Sequence, residues 1–285
     1  MRWKSASWIC PSITFFAVAI LSGALEQITH AATIFSENFE GATANSNITT
    51  SNTTFTTISG TGTNSTLFAL ADTGNVFANA NQYLQYNDAS TSLSPIAAAS
   101  WSALSNSVFG LSFEFNDVPD PTGTAAALRV ILSNGTSATS TNQLVNMVLL
   151  NGYMDVTLDP AANVAALTGG YSINTKHRID VYGNMTGSTV TYGPTSESLG
   201  AGKFDLWFDG VKVANMDDLA FRYSHTSLTE LGIRVTSSGG ARVTTVNFDN
   251  FSVTDTLPSV PEPSSMCLVC CGVICASLVR KRRSI

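Results

Sequence analysis

Short stretches in which apolar and polar residues alternate recur along most of this sequence. A period of two places apolar side chains on one face of a β-strand and polar ones on the other. Gly, Asn and Asp separate the stretches, which is typical of antiparallel strands that pack on one side only. The sequence therefore predicts an all-β fold, an antiparallel β-sandwich. The six clearest stretches are residues 111–115, 128–132, 154–158, 179–182, 204–208 and 231–235.

Turn dipeptides connect several of these stretches. Asn-Gly at 151–152 and Asp-Gly at 209–210 accept the positive φ angles of tight hairpin turns, and Asn-Gly at 134–135 ends another strand. The predicted hairpins join residues 144–150 to 153–158, and 203–208 to 211–214. In the later segment 246–253, the positions of the apolar residues shift by one at 249–250. This shift predicts a β-bulge there.

One segment favours a helix. Ser94-Pro95 precedes an Ala-rich run, and Pro is common at the first position of a helix. We therefore expect a short helix over residues 96–104.

The N-terminus has the layout of a secretory signal peptide. Arg2 and Lys4 form a basic start, and residues 13–25 are apolar. Thr29 and Ala31 then supply small residues at the −3 and −1 positions of a cleavage site. We expect cleavage after Ala31, so that residues 1–31 form a signal peptide.

The C-terminus combines three features in order. They are Pro261-Glu262-Pro263, the uncharged apolar run 266–279, and a final basic cluster. The run is short for a membrane span, and a basic end belongs on the cytoplasmic side, so the preceding domain is expected outside. The basic residues are Arg280, Lys281, Arg282 and Arg283.

This triple resembles the PEP-CTERM sorting signal of Gram-negative and related bacteria. The resemblance implies an exosortase-type sorting enzyme as a partner, transient membrane anchoring through a short transmembrane helix, and a final place on the cell surface or in the extracellular matrix. The chain is then expected to comprise a signal peptide (1–31), an ectodomain (32–258) and a sorting signal (259–285).

The central segment also resembles laminin-G and concanavalin-like jelly rolls. The resemblance lies in residues 177–183, in 203–213 with its Asp-Gly hairpin, and in the opening 34–41 and closing 246–253, which look like paired first and last strands. It implies a fold class and no particular activity.

Composition excludes some functions. Residues 33–258 hold 8 Lys+Arg and 18 Asp+Glu, so their charge is 8 − 18 = −10, and such a surface repels nucleic acid. All five cysteines lie outside 32–258, which excludes disulfides and thiol chemistry from the ectodomain.

Motifs of common enzymes are absent, which disfavours an enzyme. Neither a nucleophile elbow nor a zinc-binding His-Glu-x-x-His occurs. Glu114 and Asp117 are the nearest approach to a pair of catalytic carboxylates. His177 and His225 are interpreted as structural or solvent-facing.

The polar positions of the alternating strands suggest a ligand-binding face with mixed charges and two aromatics. Such a face suits sugars, since rings stack on aromatics and hydroxyls bond to charged groups. The competing interpretations are an ordinary solvated sheet face, or Trp207 packed under a loop. The face would carry Glu114, Arg129, Asp155, Arg178, Asp180, Tyr182, Asp205, Trp207 and Arg234, and the sugar-binding candidates among them are Arg178, Asp180, Tyr182, Asp205 and Trp207.

A calcium ion is a further candidate ligand. Oxygen-bearing side chains of the first and last segments would meet if those strands pair, and Glu40 and Asp249 are the main candidates. Glu37, Asn38 and Asn250 complete the set.

These observations predict an exported protein of structural or adhesive type, with extracellular polysaccharide as the candidate ligand. The alternatives are a polysaccharide-active hydrolase or lyase, and a passive coat protein.

Overall fold

The alternating segments all form β-strands. The computed structural model describes residues 32–62, 64–78, 82–89, 95–105, 107–120, 126–158, 164–193, 195–235 and 244–258. In chain order, the described strands are β1 Thr33–Glu37, β2 Ser46–Asn47, β3 Thr57–Ser59, β4 Ser65–Ala71, β5 Gln82–Asp88, β6 Ile96–Ser105, β7 Val108–Val118, β8 Leu128–Ser133, β9 Gln143–Leu150, β10 Tyr153–Thr157, β11 Val164–Ala166, β12 Lys176–Asn184, β13 Val190–Tyr192, β14 Glu197–Leu199, β15 Lys203–Phe208, β16 Val211–Lys212, β17 Leu219–Ala220, β18 Ser227–Val235 and β19 Thr244–Thr254. Two 3₁₀ turns, Ser140–Asn142 and Ala214–Met216, complete the elements.

The strands form two large sheets and one hairpin. A ten-stranded sheet runs β16-β15-β12-β7-β19-β5-β4-β2, with β1 also paired to β19 and β17 to β15. A seven-stranded sheet runs β11-β10-β9-β8-β18-β6-β3, and β13 and β14 form a two-stranded sheet. The large sheets share one core, because the inward residues of both, such as Leu111 and Val181 in one and Val130 and Ile233 in the other, belong to a single buried cluster. The predicted antiparallel β-sandwich is therefore confirmed, and its sheet order is consistent with a jelly roll.

The first and last strands pair as predicted. Phe35 lies opposite Val253 and Glu37 opposite Phe251. The register of β19 against β7 shifts between Asp249 and Ser252, and Asn250 has a φ of 54°. The predicted bulge is thus confirmed, and it lies where the edge of β19 passes from β5 to β1.

Both predicted hairpins are present. Asn151 and Gly152 have φ angles of 44° and 86°, and Asp209 and Gly210 have 49° and 76°. Positive φ at both central residues gives a twist that matches the flanking strands. These turns connect β9 to β10 and β15 to β16.

The predicted helix over 96–104 is wrong, because Ile96–Ser105 is strand β6. This strand pairs with β18 on one side and β3 on the other. Its alanines have high helix propensity, but the buried Ala97 and Ala99 pack into the sandwich core. Sheet pairing and burial here override local propensity. Ser94, the expected cap, lies outside the described residues.

The Thr/Asn/Ser-rich tract 43–66 is anchored to the sandwich by its few apolar residues. Ile48 and Phe55 are buried. The Phe55 ring centroid lies 5.5 to 6.3 Å from those of Phe35, Phe39 and Phe251.

The signal peptide (1–31) and the sorting signal, with its Pro-Glu-Pro motif, apolar run and basic end, lie outside the described residues. Within the part that is described, no helix has the length and apolarity to cross a membrane.

Candidate functional site

The outward-facing residues of the ten-stranded sheet lie in rows across its central strands. Because Leu111, Phe113 and Val181 enter the core, their chain neighbours face outward. Asp249 of β19 lies opposite Glu114 of β7, and Glu114 lies opposite Arg178 of β12. We call these outward-facing residues the polar face.

The structure brings all five predicted sugar-binding residues together on this face. Asp180 lies directly opposite Trp207, and Tyr182 directly opposite Asp205, across β12 and β15. Arg178 precedes them on β12. The prediction that these strands are neighbours is confirmed, but the five side chains have different environments.

Arg178 and Asp180 form a closed ion pair. The Arg178 Nε lies 3.0 Å from both carboxylate oxygens of Asp180, and its Nη2 lies 2.7 Å from Oδ1. The Arg178 side chain is 53% exposed, whereas that of Asp180 is 9% exposed. This bidentate pair fixes the position of the guanidinium, and the Arg178 side chain stays accessible to a ligand.

Trp207 is half-buried and packed beneath a hairpin. Tyr192, on the β13–β14 hairpin, is buried, and its hydroxyl accepts a 2.9 Å hydrogen bond from the Trp207 Nε1. The Tyr192 ring lies 4.9 Å from the ring of Tyr182, and Tyr182 lies 6.3 Å from Trp207. The aromatic cluster is therefore satisfied within the protein, in agreement with the interpretation of Trp207 packed under a loop. Nothing in the local sequence around Trp207 indicated that Tyr192 would cover it.

Asp205 is fully buried beside Lys212. Its carboxylate accepts hydrogen bonds from the Tyr192 hydroxyl at 2.6 Å and from the Asp218 backbone amide at 2.6 Å, and lies 3.0 Å from the Lys212 ammonium. Burial raises the pKa of Asp205, while these hydrogen bonds oppose the shift. Lys212 also contacts Glu197 at 3.1 Å and Asp217 at 2.7 Å, and these carboxylates raise its pKa against the opposing effect of burial. Asp205 thus belongs to a structural ion cluster and is closed to ligands.

The prediction that nine polar residues share one face is wrong for three of them. Arg129, Asp155 and Arg234 lie on β8, β10 and β18 of the seven-stranded sheet. Alternation gives the side of each strand that faces outward, but it does not give the sheet to which the strand belongs.

An accessible strip crosses the middle of the polar face. The Lys176 ammonium lies 3.0 Å from the Glu114 Oε1, and the Asn250 side-chain amide donates to the Glu114 Oε2 at 3.0 Å. Nearby, Gln85 donates to the Asn247 side chain at 3.3 Å. Glu114 was among the predicted residues of this face. Lys176 and Gln85 were not, although their outward position follows from strand parity.

Asp249 is a strongly perturbed carboxyl of this face. The residue is 1% exposed, and the Asn250 backbone amide donates a 2.8 Å hydrogen bond to its Oδ1. Burial is the main cause that raises the pKa of Asp249 to about 7, and the negative charges of Glu114, Glu40 and Asp72 add to it. Asp249 therefore exchanges its proton near neutral pH.

Several of the calcium candidates already have partners within the protein. Among the described residues, no three Asp, Glu, His or Cys side chains have the spacing of metal ligands. The Glu37 carboxylate accepts from the Phe39 amide at 2.7 Å and from the Thr54 hydroxyl at 2.8 Å, which closes the loop between them. Glu40 accepts from the Gln82 amide at 3.1 Å.

Glu114 and Asp117 do not form a carboxylate pair. Three residues apart on one strand, they point to opposite sides. Asp117 is buried and accepts from the Tyr171 hydroxyl at 2.7 Å and from the Gly152 amide at 2.9 Å.

Both histidines of the sandwich have structural partners. His177 bridges the Asp209 carboxylate at 2.8 Å and the Ser172 carbonyl at 2.9 Å. His225 contacts the Thr141 carbonyl at 2.7 Å.

A mainly apolar depression of about 380 Å³ lies beside the β15–β16 hairpin. Leu167, Phe208 and residues 211–215 line most of it. Of the predicted residues, none lines this depression.

Comparison with known proteins supports the fold. No family model matches the chain, and no curated protein matches it. Among solved structures, a cellulose-induced protein, Cip1, is similar with a TM-score of 0.51 at 12% identity, over 79% of this chain and 99% of that one. A carbohydrate esterase from the Shiga toxin-encoding bacteriophage phi24B is similar with a TM-score of 0.51 at 11% identity, over 81% of this chain and all of that one. At such identities the likeness shows the sandwich fold alone.

Proposed function

We propose that this chain is an exported surface protein of structural or adhesive type that binds an uncharged extracellular polysaccharide along its polar face. The observation that carries the proposal is the strip at Lys176, Glu114, Asn250 and Arg178, where charged and amide groups are accessible and already paired with each other.

Paired charges favour hydroxyl-bearing ligands over charged ones. Each basic group of the strip has a carboxylate partner, so the strip offers donors and acceptors without excess positive charge. Sugar hydroxyls can donate to Glu114 and accept from Arg178 while the ion pairs stay intact. The charge of −10 over residues 33–258 repels polyanions in addition.

The names of similar structures agree with this ligand class. The cellulose-induced protein and the carbohydrate esterase share this sandwich fold. From the signal-peptide-like start and the PEP-CTERM-like tail, we also propose that the protein is sent to the cell surface by an exosortase-type enzyme. A surface destination agrees with an extracellular polysaccharide as the ligand.

Affinity electrophoresis of the purified full-length chain in gels containing neutral glucans or polyuronates tests the proposal. We expect retardation by a neutral glucan that depends on Arg178. Arg178→Ala should weaken retardation roughly tenfold or more, because it removes a charged donor. Lys203→Ala, which removes a positive charge elsewhere on the same sheet, serves as the control. Failure of every neutral glucan to retard the chain would reject the proposal.

A second candidate function is cleavage of the bound polysaccharide. Asp249 and Glu114 lie directly opposite each other on β19 and β7, and acid/base cleavage of glycosidic bonds uses two carboxyl groups. The pKa of about 7 for Asp249 suits an acid or base at neutral pH. Incubation of the chain with each retarding glucan, followed by a reducing-end assay, separates the two functions. Sugar release by the wild type that is lost in Asp249→Asn would identify an enzyme, whereas binding without release would identify an adhesin.

A further inference from the structure

Three arginines gather on the outer side of the seven-stranded sheet, opposite to the polar face. Arg234 of β18 lies directly across from Arg129 of β8. Their chain neighbours Ile233 and Val130 are buried in the core, so both arginine side chains extend outward from the same side. Like charges in directly opposed positions of a sheet are destabilising.

Arg222 is the third member. Its backbone amide donates to the Leu144 carbonyl at 2.8 Å, which holds the segment after β17 against β9. One terminal nitrogen of Arg222 donates to the side-chain oxygen of Gln143. The outer side of this sheet therefore receives a positive charge from a segment outside it.

Neutral amides link these cations. Asn146 accepts from the Arg129 Nη1 at 3.1 Å and donates to the Gln143 oxygen at 2.8 Å. Both amide side chains are buried. The burial of Arg129 lowers its pKa, and the positive charges of Arg222 and Arg234 lower it further.

Two donors of the cluster have no acceptor. The Nε atoms of Arg222 and Arg234 are buried, and neither makes a hydrogen bond. In the part of the chain that the structure describes, neither arginine has a carboxylate within salt-bridge distance. Glu230, on the same strand as Arg234, accepts instead from the Ser137 amide at 2.6 Å and the Ser100 hydroxyl at 3.2 Å. Buried charged donors without acceptors are costly, and natural proteins rarely keep them without a partner.

We propose that Arg222 and Arg234, with Arg129 beside them, form a binding site for an oxyanion group, either a sulfate or a sugar carboxylate. The Nε and Nη donors of an arginine side chain match two oxygens of such a group. An oxyanion would satisfy the buried Nε donors and offset the repulsion among three cations. The site lies on a different sheet from the proposed polysaccharide face and is independent of it.

Calorimetric titration of the full-length chain with sodium sulfate, and separately with sodium glucuronate, tests the site at constant ionic strength. We expect saturable binding of at least one anion. Arg234→Gln and Arg222→Gln should each weaken it roughly tenfold or more, because each removes a charged donor pair. Lys203→Gln, which removes a positive charge from the other sheet, should bind as the wild type does. Sulfate binding alone would identify a tetrahedral anion as the ligand, and glucuronate binding would identify an acidic sugar.

Thermal unfolding adds a readout that a purely structural arginine would not give. Without the anion, Arg234→Gln should unfold at a higher temperature than the wild type, because repulsion is relieved. With saturating anion the order should reverse. Absence of saturable binding for both anions, or an equal loss in Lys203→Gln, would overturn the proposal.

Discussion

The outer sides of the two sheets deal with positive charge in opposite ways. On the ten-stranded sheet, Lys212 is surrounded by three carboxylates and Arg178 is held by Asp180. On the seven-stranded sheet, Arg222 contacts the neutral amide of Gln143, and the buried Nε atoms of Arg222 and Arg234 make no hydrogen bond. Basic residues on the ten-stranded sheet thus have their charges neutralised within the protein. On the seven-stranded sheet, arginine donors remain without an acceptor. The comparison indicates that the pairing state of the charges distinguishes a surface suited to neutral, hydroxyl-bearing ligands from one suited to an anion.

The largest expected effect comes from breaking the self-contained cluster. Lys212→Met leaves the buried Asp205 carboxylate without its cation, and we expect a loss of about 3–5 kcal/mol in unfolding free energy. Urea denaturation measures it. Lys203→Met should cost far less, and the double variant Lys212→Met/Asp205→Asn should recover part of the loss because the buried charge is gone. A loss below about 1 kcal/mol for Lys212→Met would mean that the cluster is not structurally important.

Asp249 should make the polar face sensitive to pH. Its folded-state pKa of about 7 exceeds its ordinary value, so its contribution to stability is full at acidic pH and is lost as pH rises through about 7. Asp249→Asn should therefore be more stable than the wild type at pH 8.5 by about 2–4 kcal/mol, and close to it at pH 4. Urea denaturation across this pH range checks both points. If calcium is present and the variant is instead the less stable protein at pH 8.5, Asp249 binds the cation.

Trp207 should give the smallest effect. Trp207→Phe removes the hydrogen bond to Tyr192, whose hydroxyl still donates to Asp205, so we expect a loss of about 0.5–1.5 kcal/mol. Trp101→Phe is the matched control from the seven-stranded sheet, since the Trp101 Nε1 donates to the Leu228 carbonyl at 3.2 Å. Retention on a neutral glucan should be unchanged in Trp207→Phe and Trp207→Ala. Loss of retention in Trp207→Ala with a stable fold would restore Trp207 as the sugar-stacking residue.

Local features of the fold were predictable from sequence. The alternation at 204–208, the Asp-Gly turn after it and the parity shift at Asp249 each depend on a few neighbouring residues. The segment 96–104 was mispredicted because its alanines suit a helix in isolation, and only pairing with β18 makes it a strand. A pattern read from neighbouring residues cannot show such pairing, because the partner strand is distant in the sequence.

The candidate site was predictable only in part. Parity placed Arg178, Asp180 and Trp207 on one outward side, and the structure confirms that they are adjacent. Parity could not show that Tyr192 covers Trp207, nor that Arg129 and Arg234 lie on the other sheet, because both facts depend on sheet order and on a hairpin outside the sheets.

Strand β19 makes the completion of this fold a late event. It lies in the interior of the ten-stranded sheet, between β7 and β5, and β1 pairs with it as well. A nascent chain that ends before Thr244 holds the strands on either side of this position without the strand that joins them. The sheet can close only when almost the entire domain has left the ribosome, so its folding is expected to be slow and dominated by contacts distant in sequence.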